Sequence, residues 1–501
     1  MFSLQLLVCL LPCVLSSPPP NIVVILADDL GFHDVPWHNT ETLVAPSLTA
    51  LSREGVVLEQ HYSQSVCSPS RAALLTGRYA INTGLHTGAL PSLVPGGLRT
   101  DLATLPQLLS DAGYSTWVLG KWHLGMCSES FWPNRRGFDH FHGMLGGAAD
   151  YYSHRTDDPP VHIPGYDYRL DSEVDVAASG TYSTKLIRDD AVSVILGHNS
   201  TKPLFLYLPF QAPHGPLMVD SSYQDLYSNI PSQDRQKYLG MVTALDQAVG
   251  DIVQALKTGG LYDNSILLFL SDNGAPVGGW PGYGGSDRPL EYGGANFPLR
   301  GGKLTLWEGG TRTPALILAP NTLSPRIESS VVHLADWLPT LLAATGLEAP
   351  TGLDGLSMWD RLRDPSLPSP RTEMVYNINL MPPRRLPGVD QWPPIAALRQ
   401  GDWKYVWRTY GYDGWARPAE MGLEAPYPPP ADVRHKLYNL AVDPLEEEDL
   451  SEDFPEVAAT MLARLQQLHA GMGREGNATR PPQDQAGRPE LQGGYWGAGW
   501  C

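Results

Sequence analysis

The chain is poor in cysteine, in positive charge and in long apolar runs. Its five cysteines, in 501 residues, are too few for a disulfide-built scaffold. With thiols this scarce and the histidines dispersed, a zinc site is disfavoured. Lys and Arg number 35 against 53 Asp and Glu, a net charge of −18. Such a balance keeps a protein soluble and excludes nucleic acid as a partner, since phosphate-backbone binding needs a basic face. No internal repeat is present. The apolar stretch at the N-terminus is too short for a comfortable membrane span, and no other continuous apolar run reaches spanning length.

Leu4 to Leu15 is apolar and is followed by the small Ser16 and Ser17. Although no Lys or Arg precedes the run, residues 1–17 read as a secretory signal peptide. Cys9 and Cys13 leave with it. Asn199-Ser-Thr and Asn477-Ala-Thr are glycosylation sequons, consistent with that route. The destination is lysosomal or extracellular.

What is present is a set of short β-branched runs, each followed by polar groups. Asn21–Ala27 reads as a strand buried on both faces, with Asp28 and Asp29 directly after it. Ser115–Gly120 is followed by Lys121 and His123, Pro203–Pro209 by His214, and Ser265–Leu270 by Asp272 and Asn273. Apolar positions from Val242 to Leu256 recur in steps of three and four, which predicts an amphipathic helix. Helical stretches are also expected over Ala103–Ala112 and Pro455–His469. Residues 126–180 and 276–296 read as long loops. Together these mark an α/β fold, and open α/β sheets bind ligands beyond the carboxyl ends of their strands. Three Asp and one Asn then offer hard oxygen donors suited to Ca²⁺ or Mg²⁺. The Pro-rich stretch at 364–372 marks a boundary near residue 368. Residues 18–368 form the larger domain. Residues 369–501 form a smaller α+β domain with an antiparallel sheet, a helix and a tail.

Cys67-Ser-Pro-Ser-Arg-Ala-Ala-Leu-Leu-Thr-Gly-Arg78 places a reactive side chain at the start of a short helix that Gly77 ends. A helix N-terminus favours an anion, and Arg71 adds a fork of donors one turn on. These twelve residues resemble the signature of the type I sulfatases, in which Cys-x-Pro-x-Arg directs oxidation of the Cys to formylglycine. Gly113-Tyr-Ser-Thr-Trp-Val-Leu-Gly-Lys-Trp-His-Leu-Gly125 is similar to the second signature of that family. Residues 21–470 resemble its arylsulfatase B-like branch, with further support at Arg135–Phe138, Asp150–His154, Lys202–Tyr207 and Trp307–Gly310.

The resemblance implies a large mixed sheet of the alkaline-phosphatase/sulfatase kind flanked by helices. It implies one Ca²⁺ held by Asp28, Asp29, Asp272, Asn273 and residue 67, with Arg71, Lys121, His123, His214 and Lys303 lining a sulfate pocket. A formylglycine-generating enzyme would act during maturation. In the implied mechanism the aldehyde hydrates and one hydroxyl attacks sulfur. His214 protonates the leaving alcohol while Lys303 stabilises charge near the ester oxygens. His123 then takes the proton that lets the second hydroxyl expel sulfate. Arg71 and Lys121 hold the diol and the sulfate oxygens. The implied substrate is a sulfated glycan or a small aryl sulfate, with the 4-sulfate of N-acetylgalactosamine in dermatan or chondroitin sulfate as the specific expectation. With Cys67 modified, Cys127 and Cys501 could pair. The chain departs from that branch in its few cysteines and in a longer Gly-rich insertion between Asn273 and Lys303. Two other readings compete: a phosphate or phosphonate monoester hydrolase with the same metal shell, and a secreted sulfoglycan-binding protein without turnover.

Overall fold

The structure, a computed structural model, describes residues 18–157, 163–277, 293–379, 395–422, 431–472 and 484–501. The signal-peptide reading, the sequon at Asn477 and most of the Gly-rich insertion lie outside the described residues.

A ten-stranded sheet forms the frame. In chain order its strands are β1 (Asn21–Ala27), β2 (Val56–Leu58), β3 (Ser115–Lys121), β4 (His140–Met144), β5 (Arg169–Leu170), β6 (Glu173–Val174), β7 (Leu204–Pro209), β8 (Ser265–Ser271), β9 (Ala315–Leu318) and β10 (Arg326–Glu328). Their spatial order is β10-β2-β9-β8-β1-β7-β3-β4-β5-β6. The central five, β8-β1-β7-β3-β4, run parallel, and antiparallel strands flank them on both sides.

Side chains alternate along β1, so one strand feeds two cores. Ile22, Val24 and Leu26 face a layer containing α2 (Cys67–Thr76). Val23, Ile25 and Ala27 face the opposite layer, which contains α5 (Gln233–Thr258). Helices α1 (Pro46–Glu54) and α4 (Ser183–Leu196) share the second layer. Helices α3 (Leu105–Asp111) and α6 (Trp337–Ala344) share the first. With helices on both faces, the central strands can be apolar throughout.

Local sequence sets several element ends. Thr104 and Gln107 form a capping box that starts α3 two residues later than the apolar spacing suggests. Ser232 caps α5, which begins nine residues before the first apolar position used to predict it. Strand β4, His-Phe-His-Gly-Met, lies inside the stretch read as loop, because its His and Gly residues carry little strand signal.

A second, antiparallel sheet is built from β11 (Glu373–Asn379), β12 (Ile395–Gln400), β13 (Trp403–Gly411) and β14 (Ala431–Asn439). One face, with Leu398, Tyr405 and Leu437, covers α7 (Pro455–Gly471) through Met461 and Leu465. The other, with Met374, Tyr376, Val406 and Tyr438, packs on Tyr62, Leu306 and Trp307 of the first body. We propose a division of the chain near residue 368, with one amendment. Residues 484–501 return to the first body, where Trp496 and Trp500 are buried in its core. Cys127 and Cys501 are joined by a disulfide that fastens this tail. Among the described residues no helix is long and apolar enough to cross a membrane.

On β4, His142 sits between two carboxylates, 2.6 Å from Asp190 and 3.0 Å from Asp175. Burial works to lower its pKa, but the two carboxylates outweigh it and hold the imidazole above its ordinary value. A raised folded pKa gives stability that is complete below the unfolded value and fades as pH rises through the folded one. We expect His142→Gln to lower the unfolding midpoint more at pH 5 than at pH 8. The difference should be about 0.5–1 kcal/mol, given the partial exposure of both partners. Equal loss at both pH values would contradict the reading.

Candidate active site

Four adjacent parallel strands deliver their polar followers to one edge. Ala27 of β1 is in register with Ser271 of β8, so Asp28 and Asp29 emerge beside Asp272 and Asn273. The two pairs touch. Asn273 Nδ2 donates to Asp29 Oδ1 at 2.6 Å, and the Asp29 N–H donates to Asp272 Oδ1 at 3.3 Å. Strand β7, on the other side of β1, leads to His214, whose Nε2 lies 3.5 Å from Asp29 Oδ2. Strand β3 ends in Lys121, whose ammonium pairs with Asp28. Asp29 and His123 both adopt positive φ, at 64° and 59°. That conformation is costly for a residue with a Cβ and is held here by the surrounding bonds.

Helix α2 brings Cys67 to the same place as its first residue, after an extended Val66. The thiol is 2% exposed and feels the charges of Lys121, Lys303, Asp28 and Asp272. Burial, with help from the two carboxylates, pushes its pKa up against the two lysines. One turn on, Arg71 is fully buried. Its Nε and Nη2 donate to Asp272 Oδ2 at 3.0 and 2.7 Å, and Nη1 donates to the Lys121 carbonyl at 2.8 Å. The fork is therefore engaged by the protein and orients Asp272. Lys303 arrives on a separate loop and contacts Asp29 at 2.6 and 2.9 Å.

The site balances its own charge. Burial pushes Asp28 up, yet Lys121, His214 and Arg71 together hold it below the usual carboxylate range. Burial likewise opposes ionisation of Asp29, and Lys303 and His214 overcome it. Burial and the nearby Asp28 push Asp272 the other way. Burial, then Lys121 and Arg71, keep His123 well below its ordinary value and hence neutral. Its Nε2 lies 3.0 Å from the Leu90 carbonyl and its Nδ1 has no partner. That pattern assigns the proton to Nε2 and leaves a lone pair on Nδ1. His214 Nδ1 lies 2.6 Å from the Gly215 carbonyl. Burial lowers this imidazole against the pull of Asp29.

Two buried oxygens, Asp28 Oδ1 and Asn273 Oδ1, have no hydrogen-bond partner. Asp28, Asp29 and His214 each offer a ligand atom, all within 4.8 Å of one another. Orphaned carboxylate and amide oxygens beside a cluster of carboxylates fit a hard divalent cation. His214 is the one member of that trio read from sequence as a pocket residue rather than a ligand.

Sequence reasoning missed the supports. Tyr238 of α5 donates to the Asp29 carbonyl at 2.8 Å and accepts from the Gly31 N–H at 3.2 Å. It sits in a buried helical stripe and reads as core. Asn296 accepts from the Ala275 N–H at 2.9 Å and steadies the turn after Asn273.

The strand-end edge of this α/β sheet gathers a buried acidic cluster, cationic side chains and a helix-mounted cysteine, a set suited to hydrolysis of an anionic ester. Residues 20–347 match the family model described as Sulfatase, and the chain belongs to the sulfatase family. It is 36% identical to Arylsulfatase J of Mus musculus over an alignment of 502 positions that covers 95% of this chain and 80% of that protein. It is 30% identical to N-acetylgalactosamine-6-sulfatase of Homo sapiens over an alignment of 358 positions that covers 68% of this chain and 65% of that protein. Among solved structures, that of Ps i-CgsB in complex with k-i-k-neocarrahexaose superposes with a TM-score of 0.75 at 27% identity, covering 95% of this chain and 98% of that one. The chain is thus an arylsulfatase-type sulfuric ester hydrolase.

A cation bound only by the folded site stabilises the fold by mass action. We expect added Ca²⁺ to raise the melting temperature of the native chain. An Asp28→Asn/Asp272→Asn variant should show no such rise. An equal rise in both would place the ion elsewhere.

Proposed function

We propose that the chain cleaves sulfate monoesters of glycans, using an oxidised Cys67 and a calcium ion held by Asp28, Asp29, Asp272, Asn273 and residue 67. The observation that carries this is the meeting of Cys67, three carboxylates and three cationic side chains at one strand-end edge, with two carboxylate and amide oxygens left unpaired. When bound, the cation supplies positive charge for the ester oxygens and the nucleophile. Formylglycine supplies a hydrated aldehyde, which can both accept sulfate and release it, as a plain alcohol cannot.

The remaining work falls to the chain's own side chains. Lys121 and Lys303, each already bound to a carboxylate, supply fixed positive charge to a sulfate group without the delay of reorganisation. Arg71 fixes the direction of Asp272. His123, neutral with a free Nδ1, is placed to take a proton. His214, with Nδ1 against the Gly215 carbonyl, must take up a second proton at Nε2 to serve the leaving alcohol, a form that the nearby Asp29 favours and burial opposes.

The substrate class follows from family and chemistry. A sulfated N-acetylgalactosamine, with its 4-sulfate in dermatan or chondroitin sulfate as the specific candidate, is in keeping with the relative named for the 6-sulfate. A net charge of −18 repels such polyanions at neutral pH, and protonation relieves that in an acidic lumen. We place the protein in the secretory pathway, lysosomal or extracellular. The Cys127–Cys501 disulfide and an exposed Asn199, whose Oδ1 accepts from the Thr201 N–H at 3.1 Å, are compatible with it.

Peptide mass at residue 67, after expression in a eukaryotic secretory host, should read aldehyde rather than thiol. Cys67→Ala should abolish turnover. Cys67→Ser should allow a single sulfation event, and repeated turnover by it would sink the scheme. Among defined sulfated sugars we expect 4-sulfated N-acetylgalactosamine to be hydrolysed, faster at acid than at neutral pH. An aryl phosphate should be a poor substrate beside the matching aryl sulfate.

A further inference from the structure

Lys303 belongs to no regular element. It lies on a loop, yet its ammonium must meet Asp29 within a few tenths of an ångström. On the site side, the Lys303 N–H donates to the Ala275 carbonyl at 3.1 Å and the Leu304 N–H to Ser65 at 2.7 Å. Gly274 N–H donates to the Gly310 carbonyl at 3.1 Å. A Cβ on Gly274 would sit 1.9 Å from the Gly309 oxygen, so only glycine permits this approach.

The other side of the loop is held by the second sheet. Leu306 N–H donates to Thr409 Oγ1 at 3.0 Å. Glu308, fully buried, receives Lys404 from β13 at 2.9 Å, and its own N–H donates to Glu446 Oε2 at 2.8 Å. Lys404 also reaches Glu446 at 2.7 Å. Tyr62, on the approach to Cys67, donates to Glu308 Oε2 at 2.7 Å, and Tyr376 of β11 donates to Oε1 at 2.9 Å. One buried lysine thus ties two carboxylates, and Glu308 is shared by three stretches: the Cys67 approach, the Lys303 loop and the second sheet.

We propose that Lys404, through Glu308 and Glu446, is a positioning residue for the reaction, by which the second sheet sets the Lys303 loop against Asp29. This rests on the reading of Lys303 as a sulfate-pocket residue. One lysine cannot neutralise two buried carboxylates fully. Burial accordingly pushes Glu446 up to about 7, while Glu308, against its burial, is held low by Lys404 and nearby arginines. Removing Lys404 takes away the cation that contacts both carboxylates and leaves their buried oxygens short of a donor, and the loop is the least regular element able to yield.

The test uses the full matured chain with Lys404→Met and, as a milder change, Thr409→Val. Lys436→Met, on the neighbouring strand β14, removes a part-exposed pair with Asp449 and is the control. Three quantities are read: amide hydrogen exchange by peptide, kcat on a small aryl sulfate, and the inhibition constant of inorganic sulfate. We expect faster exchange confined to residues 303–308, with β1 and β8 unchanged. We expect kcat to fall on the order of tenfold to a hundredfold in Lys404→Met, and sulfate inhibition to weaken, since a small misplacement of a catalytic group costs that much. Thr409→Val should show the same pattern more weakly, and the control none of it. Unchanged exchange over 303–308, or protection lost across β1 and β8 alike, overturns the proposal. Should Lys404→Met fail to fold, Thr409→Val decides by the same criteria. Lys303→Ala separates the two ideas: full activity and normal sulfate inhibition in that variant would refute the role of Lys303, whereas a damaged Lys303→Ala with an undisturbed loop in Lys404→Met would refute the role of Lys404.

Discussion

Everything at the strand-end edge depends on mutual compensation of buried charge. Asp28, Asp29 and Asp272 have almost no access to solvent, and neither have Arg71 and Lys121. An isolated buried carboxylate would take up a proton rather than stay charged. Here each carboxylate has a cation in contact, and Asn273 adds an amide. The three anions and three cations cancel, and His123 is neutral. A divalent cation held there would make the pocket positive, and the single negative charge of a sulfate monoester would offset part of it. A neutral glycan gains nothing from this field, which selects for an anionic ester before any contact with the sugar is made.

The same compensation explains why the fold must be assembled from distant parts. Asp28 and Asp272 lie 244 positions apart, yet adjacency of β1 and β8 in register places them side by side. Lys121 comes from β3, two strands away in the sheet, and Lys303 from a loop braced by a different sheet. No local segment could hold these charges alone, because each would be unpaired until its partner arrived. Docking of the second sheet is thus part of building the site. The tail contributes differently, covering the first core with Trp496 and Trp500 and fastening through Cys127.

Much of this was legible in the chain because the signals are local. Asn21–Ala27 and Ser265–Leu270 show their strands through unbroken β-branched and apolar runs, and the acidic residues follow at once. The Cys67 helix is written in Pro69, the Ala-Leu run and Gly77, which takes φ 66° at the helix end. What stayed hidden depends on tertiary pairing. The Arg71 fork reads as free for an anion, and only the folded chain commits it to Asp272. Tyr238 and Glu308 carry no mark that separates a support from a core tyrosine or a surface glutamate. His214 reads as a pocket residue, and its closeness to Asp28 and Asp29 appears only once β7 lies beside β1.

The burial of Cys67 constrains the order of events on the proposed chemistry. All ten residues of α2 are buried. Leu304 bonds back to Ser65, and Tyr62 is held by Glu308 under the second sheet. An enzyme that oxidised residue 67 would have to reach a side chain that is 2% exposed in the folded chain. To free α2 from the finished fold would expose Ala72, Ala73, Leu74 and Leu75, and would strip Arg71 from Asp272. Uncovering those apolar side chains and breaking a buried ion pair together cost several kcal/mol, on the order of the whole stability of a domain. On the proposed chemistry, oxidation is therefore favoured before α2 docks beneath the sheet edge rather than after.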